Sequence, residues 1–562
     1  MGYYPALTSI GNKMNYLIKP LFKRKVSYTC VTFILALYFA VVVNIPVYSE
    51  LSSILNDING VKVGFVISIP IFFLAALNLI FNLFSWPMIT KPFFVIVLIL
   101  SSVVSYAGYN YGTLFDYNMI ANVIETDTSE AGSYLSVYSV VWTLLMGVVP
   151  ALMLMMTKLS ANQNIIKMVL SKLGSMLASV IVIALIAMMY YQDYASVGRN
   201  NSALKKAIIP TQFIYSATGF IKDKYFTTPL EYKYIGTDAK QSDEALQDSK
   251  SKPTLLVFVV GETARSQNYE LNGYSKPTNA FTRDLDVVSF QNVSSCGTAT
   301  AVSVPCMFSS LTRNNFDRKV ADNQDNLLDI LNRAKVSVLW KENDGGDKNV
   351  AERITKKVVD RSEVNELCDG STCYDMALLE GFEQDVESLD GNRMIALHLI
   401  GSHGPTYYKR YPKEARKFLP DCPRSDIENC SVEEIVNTYD NTILYTDYVI
   451  SQAIQKLKDL NDKYNTALVY ISDHGESLGE NGMFLHGMPY GLAPEYQTKV
   501  PLMLWMSDGF KQTKKINTSC IKGEASSNKY SQDNIFHSIL GVMDVNTNIY
   551  NKEMDIFDTC RS

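Results

Sequence analysis

The sequence predicts a chain of two parts: a five-helix transmembrane domain over residues 1–191, and an α/β domain with a largely parallel central sheet over residues 251–562. Three observations lead to this prediction. Five long apolar segments occupy the first third of the chain, basic residues are unevenly shared among the loops between them, and short apolar runs ending in polar residues recur after residue 254. Residues 192–250 form a mixed connector with amphipathic stretches that could lie on a membrane surface.

The five apolar segments are long enough to span a bilayer, the third and fifth being near the short limit. They are Tyr28–Val47, Val63–Trp86, Pro92–Gly108, Tyr134–Met156 and Ser175–Tyr191. Buried core helices are the alternative, but five such runs in succession, separated by short polar loops, favour a membrane domain. The first segment has no small-residue cleavage site, so we interpret it as a retained anchor.

Basic residues set the predicted orientation in the membrane. They precede the first segment and lie in the second and fourth loops, whereas the third loop, residues 109–132, has none; the residues are Lys19, Lys23, Arg24, Lys25, Lys91, Lys158, Lys167 and Lys172. By the positive-inside rule the N-terminus and the even loops are cytoplasmic, and an odd number of spans places the rest of the chain outside. With a net charge of −5 and no basic cluster, the sequence gives no sign of a nucleic-acid partner.

Cysteine usage agrees with an oxidising compartment for the outer domain. Only Cys30 lies in the membrane part, and eight cysteines follow residue 290. Sequence does not dictate the pairing in general, but short separations favour 296–306, 368–373 and 422–430, which leaves 520–560. Scattered buried thiols are one alternative. A zinc knuckle is another, and no CxxC spacing supports it.

Four apolar runs beyond the connector suit strands of a parallel sheet buried on both faces: Thr254–Val260, Val336–Trp340, Met394–Ile400 and Ala467–Ile471. Helical stretches such as Asn326–Ala334 and Glu433–Leu460 lie between them. In such α/β sheets ligands bind beyond the carboxyl ends of the strands. The residues that fall at those ends are Glu262, Lys348, His403, Asp473 and His474.

Glutamate, aspartate and histidine converging there predict a zinc site, with Gly475 permitting the sharp turn that adjacent Asp473 and His474 require. The stretch SSCGTATAVSVPC, residues 294–306, would supply a nucleophile from Thr298 or Thr300 at a helix start. Zinc would lower the hydroxyl pKa, helix-start amides would hold a phosphate, and a cysteine bridge would brace the turn. The alternative is that the threonines only cap a helix.

Four stretches of this sequence resemble the phosphoethanolamine transferases that modify lipid A, including the transferable colistin-resistance enzymes. They are VVGETARSQNYELNGY from Val259, SSCGTATAVSVPCMFS from Ser294, GSHGPTYYKRYP from Gly401 and SDHGESLGENGMFLHGMPY from Ser472. The resemblance extends over the membrane part. It implies a multi-pass protein of the bacterial inner membrane with a periplasmic, zinc-dependent catalytic domain of the alkaline phosphatase and sulfatase type.

The resemblance also implies roles for individual residues. Thr300 is the expected nucleophile, with Glu262, Asp473 and His474 as its partners around one zinc. His403 and His486 are expected to line the substrate phosphate or a second metal, and Lys348 to contact the substrate. In the third loop Asn122, Thr126 and Glu130 resemble a donor-contacting element. Their spacing of four residues places them on one helical face, for which a solvated surface is the alternative.

The implied reaction is a double displacement. Thr300 attacks the phosphorus of phosphatidylethanolamine and expels diacylglycerol, and a lipid A phosphate then accepts the phosphoethanolamine, with His403 or His486 moving the proton. The added ammonium lowers binding of polymyxins and other cationic peptides. Two departures from the family stand out. Gly345 and Gly346 replace a serine that some relatives carry beside the lysine, and the Cys520–Cys560 pair is additional to the three bridges of the colistin-resistance branch.

Two rival functions remain at this point. A phosphoglycerol transferase or sulfatase shares the superfamily, but sulfatases use a Cys or Ser in a C-x-P-x-R-type context that Thr300 lacks. A non-catalytic membrane sensor with a degenerate domain is the other rival, and the intact set of Glu262, Thr300, Asp473 and His474 argues against it. No protein partner is inferred.

Overall fold

The structure, a computed structural model, describes residues 25–56, 61–126, 128–160, 164–228 and 230–561. It divides into two compact units. The first unit comprises Met1–Phe115 and Val137–Ala217, and the second unit comprises Asp116–Ser136 and Thr218–Ser562. Most of the predicted third loop, from Asp116 onward, therefore belongs to the second unit.

The helices up to residue 226 are, in chain order, α1 Tyr28–Tyr38, α2 Ile45–Asn56, α3 Val63–Phe84, α4 Thr90–Tyr111, α5 Tyr117–Glu125, α6 Thr128–Ser133, α7 Val137–Thr143, α8 Val149–Met156, α9 Ile165–Asn200, α10 Ser202–Ala207 and α11 Thr211–Ile221. Three π-helical turns continue α1, α7 and α11: Phe39–Val43, Leu144–Val148 and Lys222–Phe226.

Within the described residues, four helical stretches of the first unit are long and apolar enough to cross a membrane: α3, α4, Val137–Met156 and Ile165–Gly198. A fifth is present if Tyr28–Val43 and Ile45–Asn56, which meet at a 51° bend, count as one span. The bend falls at Asn44, whose buried carboxamide donates to the carbonyls of Phe39 and Ile209 and accepts the Ile209 N–H. Pro46, which cannot donate to a helical carbonyl, also lies at this break, so a local helix breaker and a tertiary contact together bend the segment that the sequence predicts as a single run.

The third and fifth spans are longer than predicted, because their helices continue past the apolar stretch into polar residues. α4 runs for 22 residues and ends at the left-handed Gly112. α9 begins at Ile165, so Lys167 and Lys172 lie inside a helix and not in the predicted loop. The first unit is held by edge-to-face aromatic packing. The ring centroids of Phe39 and Phe81 are 5.1 Å apart.

The second unit is built on a seven-stranded sheet. Its strands are β1 Thr254–Gly261, β2 Val288–Phe290, β3 Ser337–Glu342, β4 Thr355–Val358, β5 Arg393–His398, β6 Asn465–Ser472 and β7 Leu502–Met506. The spatial order is β2-β7-β6-β1-β5-β3-β4, with β7 antiparallel to both neighbours and the other pairs parallel. All eight residues of both β1 and β6 are buried. The sheet is mixed, and the four predicted strands form its parallel centre.

The remaining helices are α12 Asp243–Asp248, α13 Thr300–Met307, α14 Arg318–Asp322, α15 Leu327–Arg333, α16 Phe382–Glu387, α17 Val432–Asp459, α18 Glu495–Thr498, α19 Asp508–Thr513, α20 Thr518–Ser527 and α21 Asp533–Val542. Three ribbons of two-residue strands complete the unit: Lys240–Gln241 with Val545–Asn546, Ser477–Leu478 with Phe484–Leu485, and Val293–Ser294 with Tyr530–Ser531. The long α17 begins in a capping box between Ser431 and Glu434.

The cysteine pairing predicted from separation is confirmed. The second unit contains the disulfides 296–306, 368–373, 422–430 and 520–560. Cys30 in the first unit is a free cysteine. The 296–306 bridge ties the turn that precedes α13 to the last turn of that helix, and the 520–560 bridge ties α20 to residue 560.

Candidate active site

Three neighbouring parallel strands deliver the acidic and imidazole groups of the site. Glu262 directly follows β1, Asp473 and His474 directly follow β6, and His403 lies five residues beyond β5. The register pairs Val260 with both Ile471 and His398, so these strand ends lie at one edge of the sheet. The predicted convergence of Glu262, Asp473 and His474 is confirmed, and all three are fully buried.

Glycines let the chain segments approach at these strand ends. A Cβ on Gly401 would lie 2.6 Å from the Glu262 carbonyl oxygen, and its φ of +47° is a left-handed conformation. Gly475 is required for a different reason from the predicted sharp turn, since a Cβ there would lie 2.1 Å from the Tyr496 carbonyl oxygen. Both glycines allow close backbone contact around the site.

The structure distinguishes the two candidate threonines. Thr300 is the first residue of α13, and its hydroxyl oxygen lies 3.1 Å from Glu262 Oε2 and 3.4 Å from His474 Nε2. The Thr298 hydroxyl instead donates to the Met488 carbonyl at 2.5 Å. The helix cap is Ala299, which has no side-chain oxygen to offer the first amides. Thr300 therefore faces the acidic cluster and does not serve as the N-cap.

The ligand atoms of Glu262, Asp473 and His474 lie within 4.8 Å of one another. His474 Nε2 is 3.3 Å from Asp473 Oδ2 and 3.5 Å from Glu262 Oε1. On its other side His474 Nδ1 lies 3.0 Å from the Gly475 carbonyl, so Nδ1–H donates there and Nε2 faces the carboxylates with its lone pair. Asp473 Oδ2 is buried and has no hydrogen-bond partner among the described residues.

Burial of this cluster shifts the pKa of each of its three titratable groups. Burial raises the pKa of Glu262 well above its usual range, with the Asp473 and Asp344 carboxylates adding to the effect. Burial also raises the pKa of Asp473 to about 6 and lowers that of His474 to about 4. Desolvated carboxylates beside a neutral imidazole need a positive charge to remain ionised.

A second group of side chains surrounds His486, and sequence reasoning missed its key member, Glu476. His486 Nδ1 lies 2.9 Å from Glu476 Oε2, and the Tyr407 hydroxyl donates to the other oxygen of the same carboxylate. The His486 ring lies 4.4 Å from the His474 ring and 5.7 Å from the His403 ring, centroid to centroid. Glu476 thus orients His486 beside the strand-end cluster. In the sequence, Glu476 could have been recognised by its position three residues after Asp473.

Arg318, which the sequence did not single out, links three segments of the second unit. Its guanidinium donates to the carbonyls of Ala301 in α13 and Lys348, and pairs with Glu125 of α5 at 3.3 Å. Lys348 is buried, with a φ of +48°. The predicted lysine loop is therefore attached through Arg318 to the helix that begins with Thr300.

The third-loop element departs from the predicted helical face. α5 ends at Glu125, and Thr126 is extended, with φ −65° and ψ 131°. Asn122, Thr126 and Glu130 therefore do not lie on one continuous helix, because the segment after Glu125 is rich in weak helix formers. Asn122 is buried, and its carbonyl accepts both the N–H and the hydroxyl of Thr126. The Glu130 side chain lies outside the described residues.

α5 nevertheless contacts the catalytic region. A Cβ on Gly487 would lie 2.9 Å from Met119 Sδ, so Met119 packs directly on the segment that follows His486. A cavity of about 370 Å³ lies between them, and its lining includes Asn118, Met119, Thr298, Arg313 and Arg318. Another cavity, of about 320 Å³, has Arg361, His403, Lys409 and Arg410 in its wall.

The fold and the strand-end residues define a domain of the sulfatase class: residues 254–545 match the family model described as Sulfatase. Residues 73–225 match the model described as Phosphoethanolamine transferase EptA/EptB. The chain is 38% identical to phosphoethanolamine transferase EptA of Escherichia coli K12 over 528 residues, covering 94% of this chain and 96% of the relative. It belongs to the phosphoethanolamine transferase family.

Two further comparisons agree with this assignment. The chain is 35% identical to phosphatidylethanolamine transferase Mcr-1 of Escherichia coli over 495 residues, 86% of this chain and 90% of the relative. The integral membrane lipooligosaccharide phosphoethanolamine transferase A of Neisseria meningitidis superposes with a TM-score of 0.92 at 37% identity, covering 96% of this chain and 100% of that chain. The family resemblance noted from the motifs is confirmed.

Proposed function

We propose that this protein transfers phosphoethanolamine from phosphatidylethanolamine to a phosphate group of lipid A through a phosphoethanolamine-threonine intermediate at Thr300. The observation that carries the proposal is the placement of the Thr300 hydroxyl at the start of α13, within hydrogen-bonding distance of Glu262. The protein lies in the bacterial inner membrane with its catalytic domain in the periplasm. The product confers resistance to polymyxins and cationic peptides, because the added ammonium reduces the negative charge of the surface.

The proposed cofactor is zinc, held by Glu262, Thr300, Asp473 and His474. Ligands about 2.1 Å from a tetrahedral zinc lie about 3.4 Å from one another. The separations from His474 Nε2 to Asp473, Thr300 and Glu262 are 3.3, 3.4 and 3.5 Å, which fit that requirement. When bound, zinc would lower the pKa of the Thr300 hydroxyl and offset the charge of the phosphoryl oxygens. The unpartnered Asp473 oxygen supports the same assignment.

In the first half-reaction the Thr300 oxygen forms a bond to the donor phosphorus as the bond to the diacylglycerol oxygen breaks. We assign to His403 or His486 both the removal of the Thr300 hydroxyl proton and its delivery to the leaving oxygen. Glu476 holds His486 in place, which supports the second choice. The uncapped start of α13 directs backbone amides toward the phosphate that Thr300 attacks.

In the second half-reaction an oxygen of a lipid A phosphate attacks the same phosphorus, and the bond to Thr300 breaks. The acceptor's proton returns to the threonine oxygen through the histidine that acted before. The cavity lined by Arg361, His403, Lys409 and Arg410 supports an anionic acceptor, because its three cationic side chains outnumber the one carboxylate in its wall, that of Asp344. We place Lys348 among the substrate contacts, and Arg318 supports it by holding its loop against α13.

The proposed organisation is a five-helix membrane domain over residues 1–191, a connector with interfacial helices over 192–250, and the catalytic domain over 251–562. The bent pair that begins at Tyr28 is the first of these five spans in chain order. Asn122, Thr126 and Glu130 are proposed to contact the donor headgroup. The packing of Met119 on Gly487 supports a substrate role for this loop, since it brings the loop to the catalytic region.

The test is mass analysis of lipid A from cells that express the full chain. Cells with wild-type protein should show lipid A carrying phosphoethanolamine, and Thr300→Ala should abolish it at equal expression. Thr298→Ala is the matched control, since it removes the neighbouring hydroxyl and only its bond to Met488. Mass spectrometry of the protein after incubation with donor lipid should find the adduct on the peptide that contains Thr300. Normal transfer by Thr300→Ala would refute the proposal.

A further inference from the structure

A buried cluster behind Glu262 has no part in the reaction described above. It consists of Glu342 and His398, which end the adjacent parallel strands β3 and β5 and face each other in register, and of Asp344 in the following turn. The relative exposures of Glu342, Asp344 and His398 are 2%, 6% and 0%. Two carboxylates and an imidazole removed from water in this way require an explanation.

Both carboxylate oxygens of Glu342 accept hydrogen bonds, and one of them orients the His398 ring. Its Oε1 accepts the backbone N–H groups of Asp344 and Gly345 at 2.6 and 3.1 Å, and its Oε2 accepts the Trp340 indole N–H at 2.9 Å. His398 Nδ1 lies 2.8 Å from the same Oε2, so Nδ1–H donates to Glu342. A carboxylate that orients an imidazole in this manner leaves Nε2 available as a ligand, as is usual for histidines that bind metals.

The other ring nitrogen of His398 and a nearby carboxylate oxygen lack hydrogen-bond partners among the described residues. His398 Nε2 and Asp344 Oδ1 are both buried, and neither has a hydrogen-bond partner within the described part of the chain. His398 Nε2 is 3.7 Å from Asp344 Oδ2, which is too long for a hydrogen bond but close to the separation of about 3.4 Å between ligands of one zinc ion. Glu262, Asp344 and His398 each place one ligand atom within 4.8 Å of the others.

A protonated His398 that only balances the acids is the alternative. A protonated Nε2 would donate to Asp344, and the separation of 3.7 Å and the unpartnered Asp344 oxygen do not show that bond. The geometry favours a cation between the two side chains, and metal and proton compete for Nε2.

We propose that Glu262, Asp344 and His398 form a second cation site, suited to zinc by its nitrogen and carboxylate ligands, with Glu262 shared between it and the catalytic site. An ion there would satisfy His398 Nε2 and Asp344 Oδ1 together. It would also fix the carboxylate that contacts Thr300 and offset the negative charge behind it. The inference rests on the proposed catalytic zinc only in that Glu262 bridges the two sites.

The experiment counts zinc bound to the full-length protein in detergent micelles. The protein is stripped with a chelator and dialysed against buffered free zinc, and bound metal is measured by elemental mass spectrometry. We expect about two zinc ions per chain for the wild type and about one for Asp344→Asn. Asp347→Asn is the matched control, since Asp347 is a neighbouring buried acid that pairs with Lys356 at 3.0 Å. It should keep about two.

Two further variants separate this site from the other metal assignments. His403→Ala combined with His486→Ala should still bind about two zinc ions, and a drop to one would assign the second ion to that histidine pair and overturn the proposal. If Asp344→Asn does not fold, the zinc count of the wild type and that of the double histidine variant still test whether the second site exists. A wild-type count of one that Asp473→Asn abolishes would overturn the second site and leave the catalytic zinc standing. Asp344→Asn protein with two zinc ions would also overturn it.

Discussion

Removing either of two disulfides of the second unit should affect protein stability and the rate of catalysis to different extents. Cys296–Cys306 joins cysteines 10 residues apart on either side of Thr300, whereas Cys520–Cys560 joins cysteines 40 residues apart and ties α20 to the end of the chain. Replacing both cysteines of one pair by alanine removes each bridge in turn. We expect the longer bridge to contribute more to stability and only the shorter one to control the rate of transfer.

The magnitudes follow from the lengths of the closed loops. On the chain-entropy account, a loop of about 11 residues contributes about 2.8 kcal/mol to the free energy of unfolding, and one of about 41 residues about 3.9 kcal/mol. The shorter bridge also positions the nucleophile, since it ties Cys296 in the turn before α13 to Cys306 in the last turn of that helix, with Thr300 between them. A displacement of Thr300 by about 1 Å would slow transfer by roughly a hundredfold.

The assay pairs two measurements on each full-length variant. Pulse proteolysis across a urea series gives the stability of the periplasmic domain, and transfer to lipid A in micelles gives the rate at a urea concentration where all variants are folded. The reasoning fails if the folded Cys296→Ala/Cys306→Ala protein transfers at the wild-type rate. It also fails if loss of the 520–560 bridge slows transfer as much as loss of the 296–306 bridge.

Three other predictions follow from the structure and the sequence. Arg318→Lys should slow transfer roughly tenfold, because a lysine cannot keep the contacts to Ala301, Lys348 and Glu125 together; Lys319→Ala, which breaks only a half-exposed pair with Asp223, is the control and should leave the rate unchanged. Glu130→Ala should lower lipid A modification roughly ten- to a hundredfold by removing the partner of the donor ammonium, and wild-type product at matched expression would mean that the loop only connects helices. Burial lowers the pKa of His537 to about 4, so the unfolded state binds more protons between that value and about 6.5 and stability falls as pH falls through this window; His537→Gln should flatten the dependence of the urea midpoint on pH, and an unchanged slope would contradict this.

Much of the architecture could be predicted because it depends on local patterns. The membrane helices are predictable from long apolar segments, because apolar side chains leave water for the bilayer. The strands β1, β3, β5 and β6 are predictable from short continuous apolar runs. The strand-end acids follow from those strands, since parallel strands bring their carboxyl ends to one edge. The cysteine pairs were predictable because short separations leave few partners. Local rules were weaker at helix ends, so α4 and α9 extend beyond their predicted bounds.

The tertiary structure decided what local patterns leave open. Only the fold distinguishes the two threonines: the Thr298 hydroxyl bonds to the Met488 carbonyl, 190 residues away, whereas the Thr300 hydroxyl lies 3.1 Å from Glu262. The antiparallel direction of β7 likewise depends on its neighbouring strands, which no periodicity reports.

The clearest case is His398, which the sequence shows only as one residue of an apolar strand. Its role depends on Glu342, 56 residues earlier in the chain, and on Asp344 in the turn that follows β3. The amino-acid sequence by itself determined which residues carry charge and which segments must leave water, because both are properties of single side chains and short stretches. Which buried charges meet was decided by the packing of adjacent strands, because a desolvated group takes its partner from whatever the fold places within a few ångströms of it.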